Sequence, residues 1–191
     1  MMHAVAMTEA ERLLELLRSD ALRRGWFTLA SGRSSDWLID CKRVVLRAEG
    51  HALVAAVVLD AIGRLEGPPP VAVAGVELGG CPLASAVALR SHQLGRPLDA
   101  IYVRKSPKDH GSRGALEGAE SLPPGARVVV VEDVVTTGGS TLAAVEKLRA
   151  AGFDVVGVVA LVDRGEGAAE ALAAASVPLL AVFHRGDLLR S

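Results

Sequence analysis

The chain has 191 residues, half of them hydrophobic, with 23% charged and 20 glycines, the balance of one globular domain with material for a sizeable core. Lys and Arg number 21 against 22 Asp and Glu, a net charge of −1, and only 3% of residues are aromatic. These figures weigh against a nucleic-acid binder that works through a basic face or through base-stacking platforms. Cys41 and Cys81 make neither a metal-ligand cluster nor a disulfide framework, and a reducing, cytoplasmic setting suits them. Residues 1–10 lack the cationic-then-apolar order of a signal peptide, and the apolar runs 52–59 and 155–162 are too short to span a bilayer, so a soluble protein with no membrane partner is expected.

In chain order, Thr8 with Glu11 forms a capping-box pattern. Leu13, Leu14, Leu16 and Leu17 then recur at helical spacing toward a basic end at Arg23-Arg24 and a stop at Gly25. Two short apolar runs, 26–29 and 37–39, flank Ser31-Gly32-Arg33 and predict a hairpin or an irregular flap. A second helix is predicted over about 48–65, closed by Gly67 and Pro68-Pro69-Pro70. From Val71 the rhythm changes. Strands are predicted at 71–74, 98–103, 128–131, 155–162 and 178–183, and helices at about 82–94, 140–151 and 168–175. Between the second and third of these strands lies a polar stretch, 104–120, punctuated by glycines. Alternating strands and helices predict an α/β fold, a mostly parallel sheet flanked by helices. One domain is expected over 1–191, with a small N-terminal hood or flap before about residue 68 and the core sheet from about 71.

In an open parallel sheet, ligands bind beyond the carboxyl ends of the strands. The most informative segment there is Val128 to Thr141: four valines, Glu132-Asp133, Val134-Val135, then Thr136-Thr137-Gly138-Gly139-Ser140-Thr141. A buried strand delivers two acids to the sheet edge, and a Thr/Gly/Ser turn then opens a helix. The backbone N–H groups of such a turn and the helix dipole favour an anion. The acids beside it suit hydrogen bonds from vicinal hydroxyls. No Lys follows the glycines, so this is not a Walker loop. A second segment, Tyr102 to Gly111, carries Arg104, Lys105, Lys108 and His110, and over residues 104–113 four Lys and Arg stand against one Asp. The run suits a polyanion such as pyrophosphate, or else is a solvated charge run. A third, Asp163-Arg164-Gly165-Glu166, ends a buried strand. Arg164 either forks onto a substrate carboxylate or pairs locally with Asp163 or Glu166. Trp37 either covers a planar ligand or fills the hood.

The segment Val128 to Thr141 resembles the phosphoribosyl-diphosphate signature of the type I phosphoribosyltransferases. The loop Arg-Lys-x-x-Lys-x-His-Gly from Arg104, the flap from Phe27 to Asp40 and the Asp163-Arg164 pair are similar, more narrowly, to orotate phosphoribosyltransferases, with motifs in order from about 11 to 182. The resemblance implies transfer of ribose-5-phosphate from phosphoribosyl diphosphate to orotate, with Mg²⁺, as a step of pyrimidine nucleotide biosynthesis. It implies that Glu132 and Asp133 bind the ribose hydroxyls, that Thr136, Thr137, Gly138, Gly139, Ser140 and Thr141 bind the 5′-phosphate, and that Val134 and Val135 also belong to the phosphoribosyl-diphosphate site. Arg104, Lys105, Lys108 and His110 would meet the pyrophosphate, and Thr136 and Arg164 the orotate. Lys108, His110 and Asp133 are the expected catalytic residues, and no protein metal cage is expected. The family also implies a homodimer in which the 104–118 loop is shared between subunits. Where many members carry Lys, this chain has Ala30 and, in the loop after its first sheet strand, Gly79; Gly79 and Gly80 would bind pyrophosphate through backbone N–H groups. A purine phosphoribosyltransferase would share the cradle without needing Arg164 for a carboxylate. A non-catalytic sensor of phosphoribosyl diphosphate would keep the cradle and add a nucleic-acid-binding arm. Both are weaker readings of the same residues. Cys81 has no adjacent base to make it a nucleophile.

Overall fold

The computed structural model describes residues 7–28, 34–105 and 114–190. Helix α1 (Glu9–Leu16) starts at Thr8, whose hydroxyl accepts the Glu11 N–H at 3.2 Å while the Glu11 carboxylate accepts the Thr8 N–H at 2.8 Å, the reciprocal cap that the spacing predicts. The helix does not run on to Arg23-Arg24. A π-helical turn at Leu17–Ala21 ends it, and Leu22 is already extended at the start of β1 (Leu22–Thr28). Long-range contacts override the local pattern here: Leu17 and Ala21 are fully buried, and the Arg18 and Arg24 guanidinium groups donate to the Asp187 and Leu189 carbonyls near the C-terminus.

Strand β1 pairs antiparallel with β2 (Ser34–Ile39), Leu22 opposite Ile39 and Thr28 opposite Ser34, so the expected flap is a two-stranded ribbon whose Trp37 and Ile39 turn into the core. A short helix, α2 (Lys42–Val45), has no clear sequence signal and leads into α3 (Ala48–Gly63). Gly50 of α3 lies against the Val44 carbonyl so closely that a Cβ would overlap it, and this contact sets how the two helices meet.

The main sheet is built from β3 (Ala72–Val76), β4 (Asp99–Val103), β5 (Leu116–Glu117), β6 (Arg127–Val135), β7 (Asp154–Asp163) and β8 (Leu179–His184), in the order β5-β4-β3-β6-β7-β8. All pairings are parallel except that of the two-residue β5 with β4. Helices α4 (Gly80–Gln93), α5 (Gly139–Ala150) and α6 (Ala168–Ala174) connect the strands, and α7 (Arg185–Leu189) closes the chain. Successive residues of a strand face opposite sides, and both sides are covered, which is why the central strands are continuous valine runs rather than alternating ones. Val73, Val129, Val131, Val159 and Leu161 pack with α3, α4 and Trp37; Ala74, Val128, Val130 and Val158 pack with Val145 and Leu148 of α5 and Leu172 of α6. Helix α3 is thus part of a layer on the sheet, together with α4. The chain runs from β3 outward to β4 and then returns to place β6 on the other side of β3. The strand order reverses there, and a crevice opens at the carboxyl ends of β3 and β6.

Candidate active site

Strand β6 is longer than the valine run predicts. It pairs with β3 only as far as Val131, opposite Gly75, but with β7 as far as Val135, opposite Asp163. Glu132 and Asp133 therefore sit on an overhang of the sheet at the switch point, held by β7 and open toward the loop that leaves β3. Being consecutive in a strand they face opposite sides rather than lying side by side. Glu132 shares the α5 side with Thr141, and Asp133 the hood side with Cys41 and Lys42.

Burial and the neighbouring Asp133 charge push the Glu132 carboxyl up to about 8, with Lys105 and Thr141 acting the other way. Glu132 Oε2 and Thr141 Oγ1 are buried polar atoms that make no hydrogen bond to the described residues. Burial also raises Asp133, opposed chiefly by the charge of Lys42. One Asp133 oxygen accepts the Val134 N–H at 3.0 Å, and its backbone carbonyl faces the Cys41 thiol at 3.9 Å. The carboxylate lies directly over Gly79, where an added Cβ would overlap it.

Loop 77–79 follows β3 and crosses close to β6. A Cβ on Gly80 would meet the Val131 carbonyl, and one on Gly75 would meet the Gly80 carbonyl, so both positions need glycine for packing. Cys81, at the start of α4, faces the Gly75 carbonyl at 3.8 Å, and burial pushes its thiol up to about 11. The thiol, not the thiolate, is therefore its form near neutral pH, and a thiol is a poor nucleophile.

At the end of β4 the Arg104 N–H donates to the Ala115 carbonyl at 2.8 Å and the Arg104 side chain pairs with Glu117 at 3.6 Å. The Lys105 N–H donates to the Glu77 carboxylate at 2.8 Å. The Lys147 ammonium, from α5, donates to the carbonyls of Arg104 at 2.6 Å and Lys105 at 2.9 Å. Lys108 and His110 lie outside the described residues.

The turn after β6 places Gly138 in the left-handed region at φ 82°, as the N-cap of α5, so the helix starts at Gly139. The Thr136 carbonyl accepts the Ala168 N–H at 3.0 Å and ties the turn to α6. Thr137, Gly139 and Ser140 are exposed, Thr136 is partly so, and the first N–H groups of α5 have no intrahelical acceptor.

At the end of β7, Asp163 Oδ1 accepts the Gly165 N–H at 2.8 Å and turns the chain. Arg164 is only 4% exposed. Its guanidinium stacks on Trp37 at 4.3 Å, donates to Ser35 Oγ at 3.0 Å and places Nε 2.8 Å from Glu166 Oε1. Of the local partners the sequence leaves open, Glu166 is the one Arg164 meets. Trp37 is itself buried core, and its ring supports this cation. A cavity of about 450 Å³ lies between Trp26, Ser35, Trp37, Arg164, Glu166 and Arg185.

Of the predicted site residues, the structure brings Glu132, Asp133, Val134, Val135, the 136–140 turn, Arg104, Lys105 and Arg164 to one edge of the sheet. Sequence reasoning missed Lys42, Glu77 and Lys147. Glu77 had a usable signal, an acid just beyond a fully apolar strand. Lys42 and Lys147 had none: Lys147 looks like a solvated cation on a helix, and Lys42 lies where the sequence predicts no element.

A family model described as a phosphoribosyl transferase domain matches residues 53–180. The orotate phosphoribosyltransferase of Sorangium cellulosum (strain So ce56) is 58% identical over 188 residues, 98% of this chain and 97% of that protein. The orotate phosphoribosyltransferase of Thermosynechococcus vestitus (strain NIES-2133 / IAM M-273 / BP-1) is 46% identical over 178 residues, 93% of this chain and 92% of that protein. Among solved structures, Mycobacterium tuberculosis H37Rv orotate phosphoribosyltransferase in complex with 5-phospho-alpha-D-ribosyl 1-diphosphate matches with a TM-score of 0.77 at 36% identity, over 95% of this chain and 99% of that one. The adenine phosphoribosyltransferase from Leishmania tarentolae matches with a TM-score of 0.64 at 19% identity, over 95% of this chain and 91% of that one, a likeness of fold alone.

Proposed function

This chain belongs to the phosphoribosyl transferase family, and we infer that it acts as an orotate phosphoribosyltransferase, moving ribose-5-phosphate from phosphoribosyl diphosphate to orotate. The observation that carries the reading is the meeting, at one sheet edge, of the acid overhang of β6, the Gly138 turn and a buried Arg164 beneath the hood. A fold shared with an adenine phosphoribosyltransferase does not choose the base. The choice of orotate rests on sequence identity and on Arg164, a cation placed to meet a carboxylate that purines lack.

The reaction joins an orotate ring nitrogen to C1 of the ribose as the C1–oxygen bond to pyrophosphate breaks. The nitrogen's proton is lost and the bonding electrons leave with pyrophosphate. No residue need become covalently attached, so the protein's work is orientation and charge stabilisation. Glu132 and Asp133 accept hydrogen bonds from the ribose hydroxyls, one from each side of the overhang. The turn 136–140 and the start of α5 bind the 5′-phosphate. Arg164, fixed by Trp37 and Ser35, binds the orotate carboxylate alongside Thr136. Arg104, Lys105, Lys108 and His110 face the leaving pyrophosphate.

No cluster of three or more metal-ligating side chains occurs among the described residues. Glu132 Oε2, a buried oxygen with no hydrogen bond to the described residues, nevertheless fits a cation held mainly by donor oxygens and water. Glu132, with Asp133 on the opposite side of the strand, would hold Mg²⁺ there, and the ion would supply charge neutralisation for the leaving pyrophosphate. The active form is a homodimer sharing the 104–118 loop between subunits, and its setting is the cytoplasm, which suits the free thiols Cys41 and Cys81. Incubation with orotate, phosphoribosyl diphosphate and Mg²⁺ tests the reading. Orotate absorbance should fall only when the donor is present, with one pyrophosphate released per orotate consumed; unchanged absorbance would refute it.

A further inference from the structure

We propose that Lys147 is a positioning residue for donor binding, locking the root of the 104–118 loop to helix α5. The inference rests on the assignment of Arg104 and Lys105 to the pyrophosphate. The peptide joining those two residues is held at both ends: its carbonyl accepts from Lys147 at 2.6 Å, and its N–H donates to the Glu77 carboxylate at 2.8 Å. Lys147 also takes the next carbonyl, that of Lys105, at 2.9 Å. An ammonium has three donors, so one side chain can serve both carbonyls, and charge-assisted bonds are the stronger kind. Fixing these peptide planes fixes the direction in which the Lys105 side chain leaves the backbone, and its charge already acts on Glu132.

Helix α5 is the right anchor for this. Val145 and Leu148 pack it rigidly against the sheet, and its N-terminus opens at the Gly138 turn. Lys147 lies eight residues beyond Gly139, a rise of about 12 Å along one stiff rod. A single element thus sets the spacing between the 5′-phosphate turn and the cations that meet the pyrophosphate. These are the two ends of one donor molecule.

Lys147→Met keeps the aliphatic stem and removes the ammonium, and Lys147→Arg keeps a cation with N–H donors enough for both carbonyls. The expected result is a rise of about tenfold in KM for phosphoribosyl diphosphate in Lys147→Met, equivalent to about 1.4 kcal/mol. The KM for orotate and the thermal midpoint should stay near wild type, and Lys147→Arg should recover most of the loss. A Lys147→Met variant with the wild-type donor KM would overturn the proposal. So would one in which both KM values rise together with a fall in thermal midpoint, the signature of a merely structural lysine. Wild-type turnover measured alongside separates the two levels: no orotate turnover by the wild type contradicts the functional reading, whereas normal wild-type turnover with an unchanged variant contradicts only the role of Lys147.

Discussion

Arg164 is held on three sides, by the Trp37 ring, the Ser35 hydroxyl and the Glu166 carboxylate, and is almost wholly buried. A cation fixed in this way loses little freedom on meeting a ligand, so its charge-assisted bond to a carboxylate is worth about 1.5–3 kcal/mol. Arg164→Ala is expected to raise KM for orotate by about 10- to 100-fold with little change in KM for the donor, a split that steady-state kinetics in each substrate would reveal. Glu132 makes a different prediction. Its carboxyl stands at about 8 in the folded chain against an ordinary value of 4.5, so between those values the folded state binds more protons than the unfolded one. Stability therefore falls as pH rises through this window. Glu132→Gln removes the cost of ionising the buried acid, and at about pH 8 the ligand-free variant should be more stable than wild type by on the order of 3 kcal/mol. Thermal melts of the two proteins from about pH 5 to about 8 would check it; parallel curves would contradict it.

Among the elements, the contact of loop 77–79 with β6 shapes the crevice. Gly80→Ala drives a methyl into the Val131 carbonyl and should destabilise the chain by about 1–3 kcal/mol, read as a lower urea midpoint. Gly63→Ala is the control, since its Cβ would meet nothing within 4 Å, and it should be neutral or stabilising by about 0.4–1 kcal/mol. The sequence was most legible where local chemistry and position in the fold coincide. Buried strands announce themselves as valine runs, and charged or glycine-rich segments after them mark the carboxyl edge of the sheet, which is why Glu132, the 136–140 turn and Arg164 could be placed at that edge. What it did not show depends on partners distant along the chain. The overhang of β6 exists because β7 continues beside it to Asp163, although the acids after Val131 look like the end of a strand. The early end of α1 depends on contacts with the C-terminus, and Lys147 becomes interesting only once the fold brings its side chain to the residues that follow β4.

For the molecule as a whole, the proposed sharing of the 104–118 loop between two subunits makes its own prediction. Subunits carrying Lys108→Ala and subunits carrying Asp133→Asn should each be nearly inactive alone. Mixed and re-associated, they should regain a sizeable fraction of activity, because one site of each hybrid dimer combines an intact loop with an intact cradle. Activity that stays at the level of the separate variants would contradict a shared loop. At the same scale lies the claim on which the rest depends, that this sheet edge transfers ribose-5-phosphate to orotate and not to another base. The most direct measurement offers the wild-type protein phosphoribosyl diphosphate and Mg²⁺ with orotate, adenine, hypoxanthine, xanthine or uracil in parallel, following each base by its ultraviolet absorbance. The account predicts turnover of orotate alone. Turnover of a purine, or donor binding without turnover of any base, would contradict it.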